Sequence, residues 1–136
     1  MKKSIISLAI LSSLAFANQS AEALFDAKCG SCHLKTRPSD MSKLVAPPIM
    51  GVMNHVKMTY PTKEKAVKFM SEYVLNPSKS KAVCMPAKIQ RFGLMPSLKG
   101  VVTKDEIKVI SSWLYDNFLP KGFRGMGHGK GMMGKR

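Results

Sequence analysis

The chain has 136 residues, with 22 Lys and Arg against 8 Asp and Glu, for a formal charge of +14. That length accommodates one domain, and the charge attracts acidic proteins and anionic surfaces. No aromatic-interleaved basic patch and no nucleic-acid motif accompanies it, which excludes nucleic acid as the expected partner and leaves acidic proteins and a loose association with a membrane surface.

The first segment is expected to lie outside the fold. Lys2 and Lys3 precede an apolar run from Ile5 to Ala15, and Ala15-Phe16-Ala17 has the small-x-small form of a cleavage site. This is the layout of a secretory signal peptide, and the run is shorter than the ~20 apolar residues that span a bilayer. Residues 1–17 are read as the signal peptide, 18–121 as the domain and 122–136 as a tail. Cleavage after Ala21 or Ala23, or an uncleaved anchor, are the alternatives. Export would place the mature chain in the periplasm.

A helix is expected from about Ala21, with Leu24 and Phe25 continuing an apolar face into Cys29-Gly30-Ser31-Cys32-His33. This C-x-x-C-H run matches the pattern that attaches haem c covalently. Two thiols three residues apart on a helix share a face, so Cys29 and Cys32 can reach the two vinyl groups on one side of a porphyrin. His33 can then turn beneath the ring as an iron ligand, while the small Gly30 and Ser31 keep the bridge clear. A redox dithiol would be expected in a βαβ setting, and none is visible. A zinc site would need two more regularly spaced Cys or His, whereas His55, Cys84 and His128 are scattered. A single such motif implies a single haem.

Residues 34–61 read as irregular, being rich in proline, glycine and serine. A second helix is expected from Lys63 to Leu75, where Ala66, Val67, Met70, Tyr73 and Val74 follow the rhythm of one buried face. Thr62 is its expected N-cap, and Asn76-Pro77 stops it. Residues 78–102 again read as irregular. Thr103-Lys104-Asp105-Glu106 has the form of a capping box, followed by the apolar stripe Ile107, Ile110, Trp113 and Leu114. No strand alternation or repeat is present. The expected class is all-α, with about three to four helices and long loops wrapped round one covalently bound haem.

The tail has glycine at 122, 125, 127, 129, 131 and 134, interleaved with Arg124, Lys130, Lys135 and Arg136. Such a composition buries too little surface to order itself and is expected to be flexible. Its His128, Met126, Met132 and Met133 are soft donors that suit copper, although a basic tail accounts for the composition equally well. Of the three cysteines, Cys84 is left over. A small buried thiol is its commonest fate; a disulfide dimer of an otherwise monomeric chain is the second reading.

An electron-carrying haem usually has a second strong ligand, and Met or His are the common partners of the first His. Met95 stands in Phe92-Gly93-Leu94-Met95-Pro96, where Gly93 permits an unusual turn and Pro96 stiffens the exit. Met85, in Cys84-Met85-Pro86, looks similar locally. Met50, Met53 and Met58 sit in the first long loop, Met70 on the apolar face of the second helix, and His55 offers a bis-His alternative.

From about Ala21 to Phe118 the chain resembles the class I cytochrome c family of small mono-haem carriers. The resemblance rests on the C-x-x-C-H motif, on Phe25 one turn before it, on Trp113 in the last helix, on Pro47 in Ala46-Pro47-Pro48, and on Tyr73 three residues before Asn76-Pro77. It implies that Phe25 packs on Trp113, that the Pro47 carbonyl accepts a bond from His33 Nδ1, and that the Tyr73 hydroxyl bonds to the ligand sulfur. It also implies that the axial Met lies shortly before the last helix, which fits Met95 better than Met85. The stretch before Met95 is longer than in compact members, and Cys84 and the Gly/Met/His tail lie outside the family pattern.

The implied activity is one-electron transfer in respiration, with transient docking of acidic redox partners and no enzymatic chemistry. A haem c subunit of a larger oxidoreductase complex and a gas- or peroxide-reactive haem protein are the alternatives.

Overall fold

Ser20 accepts a hydrogen bond from Ala23 N and caps the first helix, α1, Ala21–Lys28. In this computed structural model, which describes residues 20–119, four further α-helices follow: α2 Ile49–Thr59, α3 Lys63–Leu75, α4 Pro86–Phe92 and α5 Lys104–Asn117. A single 3-10 turn, Met41–Lys43, interrupts the connection between α1 and α2. No strand occurs among the described residues, so the chain is all-α there. Residues 1–17, expected as the signal peptide, and 122–136, expected as the tail, lie outside them. No described helix is long and apolar enough to cross a membrane.

The helices read from periodicity and caps are found where expected. The α5 capping box is complete: Glu106 N donates to Thr103 Oγ1 at 3.1 Å, and Thr103 N donates to Glu106 Oε2 at 2.7 Å. Thr62 stands at the N-cap of α3, but its side chain makes no capping bond. Two elements correct the expected three or four helices. α2 and α4 lie inside the stretches read as irregular. α2 starts directly after Pro47-Pro48, carries Gly51, and has no side-chain cap. α4 is only seven residues long and opens with Pro86 at its first position.

The core is built chiefly where α5 crosses α1 and α3. Phe25 is fully buried, with its ring centroid 5.6 Å from Trp113 and 6.5 Å from Phe118. Burying an aromatic of this size removes on the order of 150–250 Å² from water, and Phe25 is the largest of the fully buried side chains. Ile107 and Ile110 of α5 and Ala66 and Met70 of α3 complete it. α2 adds Ile49, Met53 and Val56, all buried. Its last turn is tied to the end of α5, because Lys57 Nζ donates to Phe118 O at 2.7 Å and lies 4.6 Å from the centre of the Tyr115 ring. α1, α3 and α5 thus form a frame, and residues of the connections 29–48 and 76–103 line one cavity beside it.

Candidate functional site

α1 ends at Lys28, and the C-x-x-C-H run begins on its C-cap. Cys29 N and Gly30 N both donate to Phe25 O, at 2.8 and 2.9 Å. The chain then makes one separate turn, in which Cys32 N and His33 N donate to Cys29 O at 3.2 and 2.9 Å. The motif therefore sits in a turn beyond the helix, not on the helix as expected. The turn still brings Cys29, Cys32 and His33 onto the wall of one cavity. Gly30 has a further reason beside the one expected. A Cβ there would stand 2.9 Å from Asp26 O and 3.0 Å from Asp26 Cα, so the glycine is required by the crowded end of α1.

His33 Nδ1 lies 2.8 Å from Pro47 O. A carbonyl oxygen can only accept, so Nδ1 is the donor, which in the neutral ring leaves the Nε2 lone pair for a metal. The same loop is clamped a second time, as Ile49 N donates to Leu34 O at 3.0 Å. Pro47 itself lines the cavity. Outside the turn, Lys35 bridges Glu22 and Asp26 of α1 at 2.7 and 2.9 Å, holding the exit from the motif against the helix that leads into it.

The far stretch of chain is positioned by α3 and α4. Gly93, with φ of +78°, ends α4 in a conformation that favours glycine. Beyond Pro96, Ser97 Oγ donates to Leu75 O at 2.6 Å and Leu98 N to Val74 O at 3.1 Å. Residues 93–96 are therefore held between the end of α4 and the end of α3, and Met95 lines the cavity. Met85 does not: it is the N-cap residue of α4 and is 37% exposed. Met53 is buried in the core and Met58 is exposed, and neither they nor His55 reach the cavity wall. Met70 is both core and wall.

Tyr73 lines the same cavity, its ring stacked on Phe69 at 5.4 Å. Burial, and then the neighbouring Cys84, push its hydroxyl above the usual tyrosine range. Cys84, Lys88 and Ser111 also line the cavity, and none of the three stands out in the sequence as part of a site. No local signal marks them, because only the folded path of residues 78–98 and the pitch of α5 bring them there. Ser111 is fully buried, and its hydroxyl has no partner. Burial, and secondarily Cys32, push the Cys29 thiol up to about 11, so it is a neutral thiol at neutral pH. No disulfide joins Cys29, Cys32 or Cys84.

The cavity has a volume of ≈220 Å³, within ≈1330 Å³ of space counted out to its mouth. Its wall is largely apolar, with Phe25, Val56, Phe69, Ile107 and Leu114 among the lining side chains. A covalently held porphyrin fits this donor set: two thiols from one turn, an imidazole whose Nδ1 is already committed, a thioether on a braced loop, and apolar walls for the ring. A tetrahedral zinc site fits less well: among the described residues no three His, Cys, Asp or Glu side chains are grouped to hold a metal ion.

No protein-family model matches the chain, and no solved structure matches it. It is similar to an uncharacterized protein of Aquifex aeolicus, 29% identical over 135 residues that cover 87% of this chain and 89% of that protein. The likeness spans nearly the whole of both chains, so it concerns the whole layout and not one short motif.

Proposed function

We propose that the chain is a periplasmic electron carrier of the class I cytochrome c type, holding one haem c. The observation that carries this reading is the 2.8 Å contact between His33 Nδ1 and Pro47 O, made on the wall of the cavity that Cys29, Cys32 and Met95 share. A C-x-x-C-H run alone could be a chance match. A run whose histidine is oriented by a backbone carbonyl, in the manner of metal-binding imidazoles, facing an apolar cavity with a thioether on its wall, is a far more specific arrangement.

The haem would supply a metal centre that gains and loses one electron. The chain's own residues do the rest. Cys29 and Cys32 would anchor the ring through thioether bonds. His33 would present Nε2 to the iron, with Pro47 fixing the imidazole plane and strengthening its donation. Met95 would offer a neutral, soft sulfur that favours the reduced state and raises the potential. Phe25, Ile107 and Ile110 keep water from the buried side. Because the ligands are held by α3, α4 and the 34–48 loop, little needs to move when the iron changes charge.

The test uses the exported protein. Haem that stays with the polypeptide through denaturation, and a reversible one-electron couple, are the expected results. In the reduced form, the upfield-shifted methionine methyl resonance of an iron-bound thioether is expected, lost in Met95→Ala and kept in Met85→Ala. Absence of covalent haem would sink the proposal. A high-spin reduced iron that binds carbon monoxide rapidly would replace the carrier with a ligand-binding protein.

A further inference from the structure

We infer that Ser97 is a positioning residue for Met95: its hydrogen bond to the end of α3 holds the thioether in place as an iron ligand when the iron is ferric. This rests on the haem reading above. A thioether donates no hydrogen bond and accepts only weakly, so its place is set chiefly by the backbone that carries it. That backbone is anchored at two points. Before Met95, Gly93 N donates to Ile89 O at 2.8 Å and closes α4. After it, Ser97 Oγ donates to Leu75 O at 2.6 Å and Leu98 N donates to Val74 O at 3.1 Å. Only Leu94, Met95 and Pro96 lie between the anchors.

The second anchor has a physical reason. The last carbonyls of a helix lack partners within it, and Val74 and Leu75 are the last two residues of α3. Ser97 and Leu98 supply the missing donors. The Ser97 hydroxyl is itself held, because Oγ also accepts from Lys99 N at 3.3 Å. The chain beyond is closed into a turn, with Val101 N and Val102 N both donating to Leu98 O, and leads into Thr103, the N-cap of α5. Of the two bonds to α3, the one from Leu98 belongs to the backbone and survives substitution. The one from Ser97 depends on the side chain, and no apolar residue replaces it. The ferric state is where it matters. A neutral, soft sulfur favours ferrous iron, so the ferric bond to Met95 is the weaker one. It is there that a loosened loop gives way to a competing ligand.

The experiment is a titration of the exported ferric holoprotein with imidazole, in the parent, Ser97→Ala, Ser97→Thr and Thr103→Ala. The bond from Met95 Sδ to iron breaks, a bond from the added imidazole nitrogen forms, and no electron moves. Loss of the thioether–iron charge-transfer band reads the exchange. Ser97 is exposed, so the alanine leaves no cavity and adds no bulk. Ser97→Ala is expected to reach half-exchange at an imidazole concentration roughly three- to tenfold lower, the ratio that one lost hydrogen bond supplies. Ser97→Thr keeps the hydroxyl and is expected to match the parent. Thr103→Ala loses the α5 cap but neither bond to α3, and is expected to match it too, which separates positioning from general loosening. The ferrous methionine resonance is expected in all four proteins. A Ser97→Ala protein that titrates like the parent, that has lost the ferrous resonance, or whose shift is shared by Ser97→Thr or Thr103→Ala overturns the inference and leaves the carrier reading standing. Absence of covalent haem overturns both.

Discussion

At the scale of single residues, the turn between Cys29 and His33 depends on two atoms of backbone more than on any side chain. Phe25 O accepts from both Cys29 N and Gly30 N, which draws the chain so close to Asp26 that only a glycine fits at position 30. Because the crowding atoms belong to the backbone of α1, they cannot swing aside as the tip of a flexible side chain would. Gly30→Ala is therefore expected to destabilise the protein by about 1–3 kcal/mol, the usual range for forcing extra atoms into a packed place. Ser31→Ala, at the exposed neighbouring position, should stay within about 0.5 kcal/mol of the parent. Chemical denaturation of the two variants measures both. Equal midpoints would show that the end of α1 yields, and that the glycine is there for the bound ring after all.

At the scale of elements, α5 and α3 begin on threonines that do different things. Thr103 and Glu106 form a reciprocal pair, whereas the Thr62 side chain makes no capping bond. Thr103→Ala should cost about 1 kcal/mol, and Thr62→Ala only a few tenths, as for surface changes generally. The pair also has a pH signature. The Thr103 N–H donated to Glu106, the largest cause, holds that carboxyl below the usual glutamate range. A carboxyl whose value is lowered by folding adds stability that is fully present above its unfolded value and is lost as pH falls through its folded one. Thermal unfolding should thus fall more steeply between about pH 5 and pH 3 in the parent than in Glu106→Gln, which keeps an acceptor but does not titrate there. Parallel curves would remove the pair from the acid response.

The same elements show how far sequence reaches. α3 and α5 were legible because each combines a cap or a stop with an apolar stripe, and α1 because Leu24 and Phe25 lead into the C-x-x-C-H run. α2 was not, since Pro47-Pro48 before it, Gly51 and Asn54 within it and the absence of a side-chain cap all read as loop. Its helicity comes from burying Ile49, Met53 and Val56 against the frame. The residues that line the cavity divide in the same way. Cys29, Cys32 and His33 are neighbours in the chain, and Pro47 and Met95 were reached through a family pattern. Cys84, Lys88 and Ser111 meet the cavity only through tertiary structure, which leaves no local spacing to recognise.

For the whole molecule the decisive property is charge and where it sits. A formal charge of +14 creates a long-range field that raises encounter rates with acidic proteins and weakens as salt screens it. If the cavity mouth is where electrons leave, net charge alone is not enough; the cations nearest the mouth should matter most, because they remain close to the partner's carboxylates in the docked complex. Lys88 lines the cavity, whereas Lys65 is exposed on α3 and does not. Lys88→Glu and Lys65→Glu change the net charge equally, so any difference between them reports position. Stopped-flow transfer to an acidic redox protein should slow with rising ionic strength in the parent, by of order tenfold from low to high salt. At low salt Lys88→Glu should be several-fold slower than Lys65→Glu, and the two should converge at high salt, where a Debye length of about 3 Å at 1 M leaves little steering to lose. Equal rates for the two variants would move the docking surface away from the cavity, and rates indifferent to salt would end the case for an acidic partner.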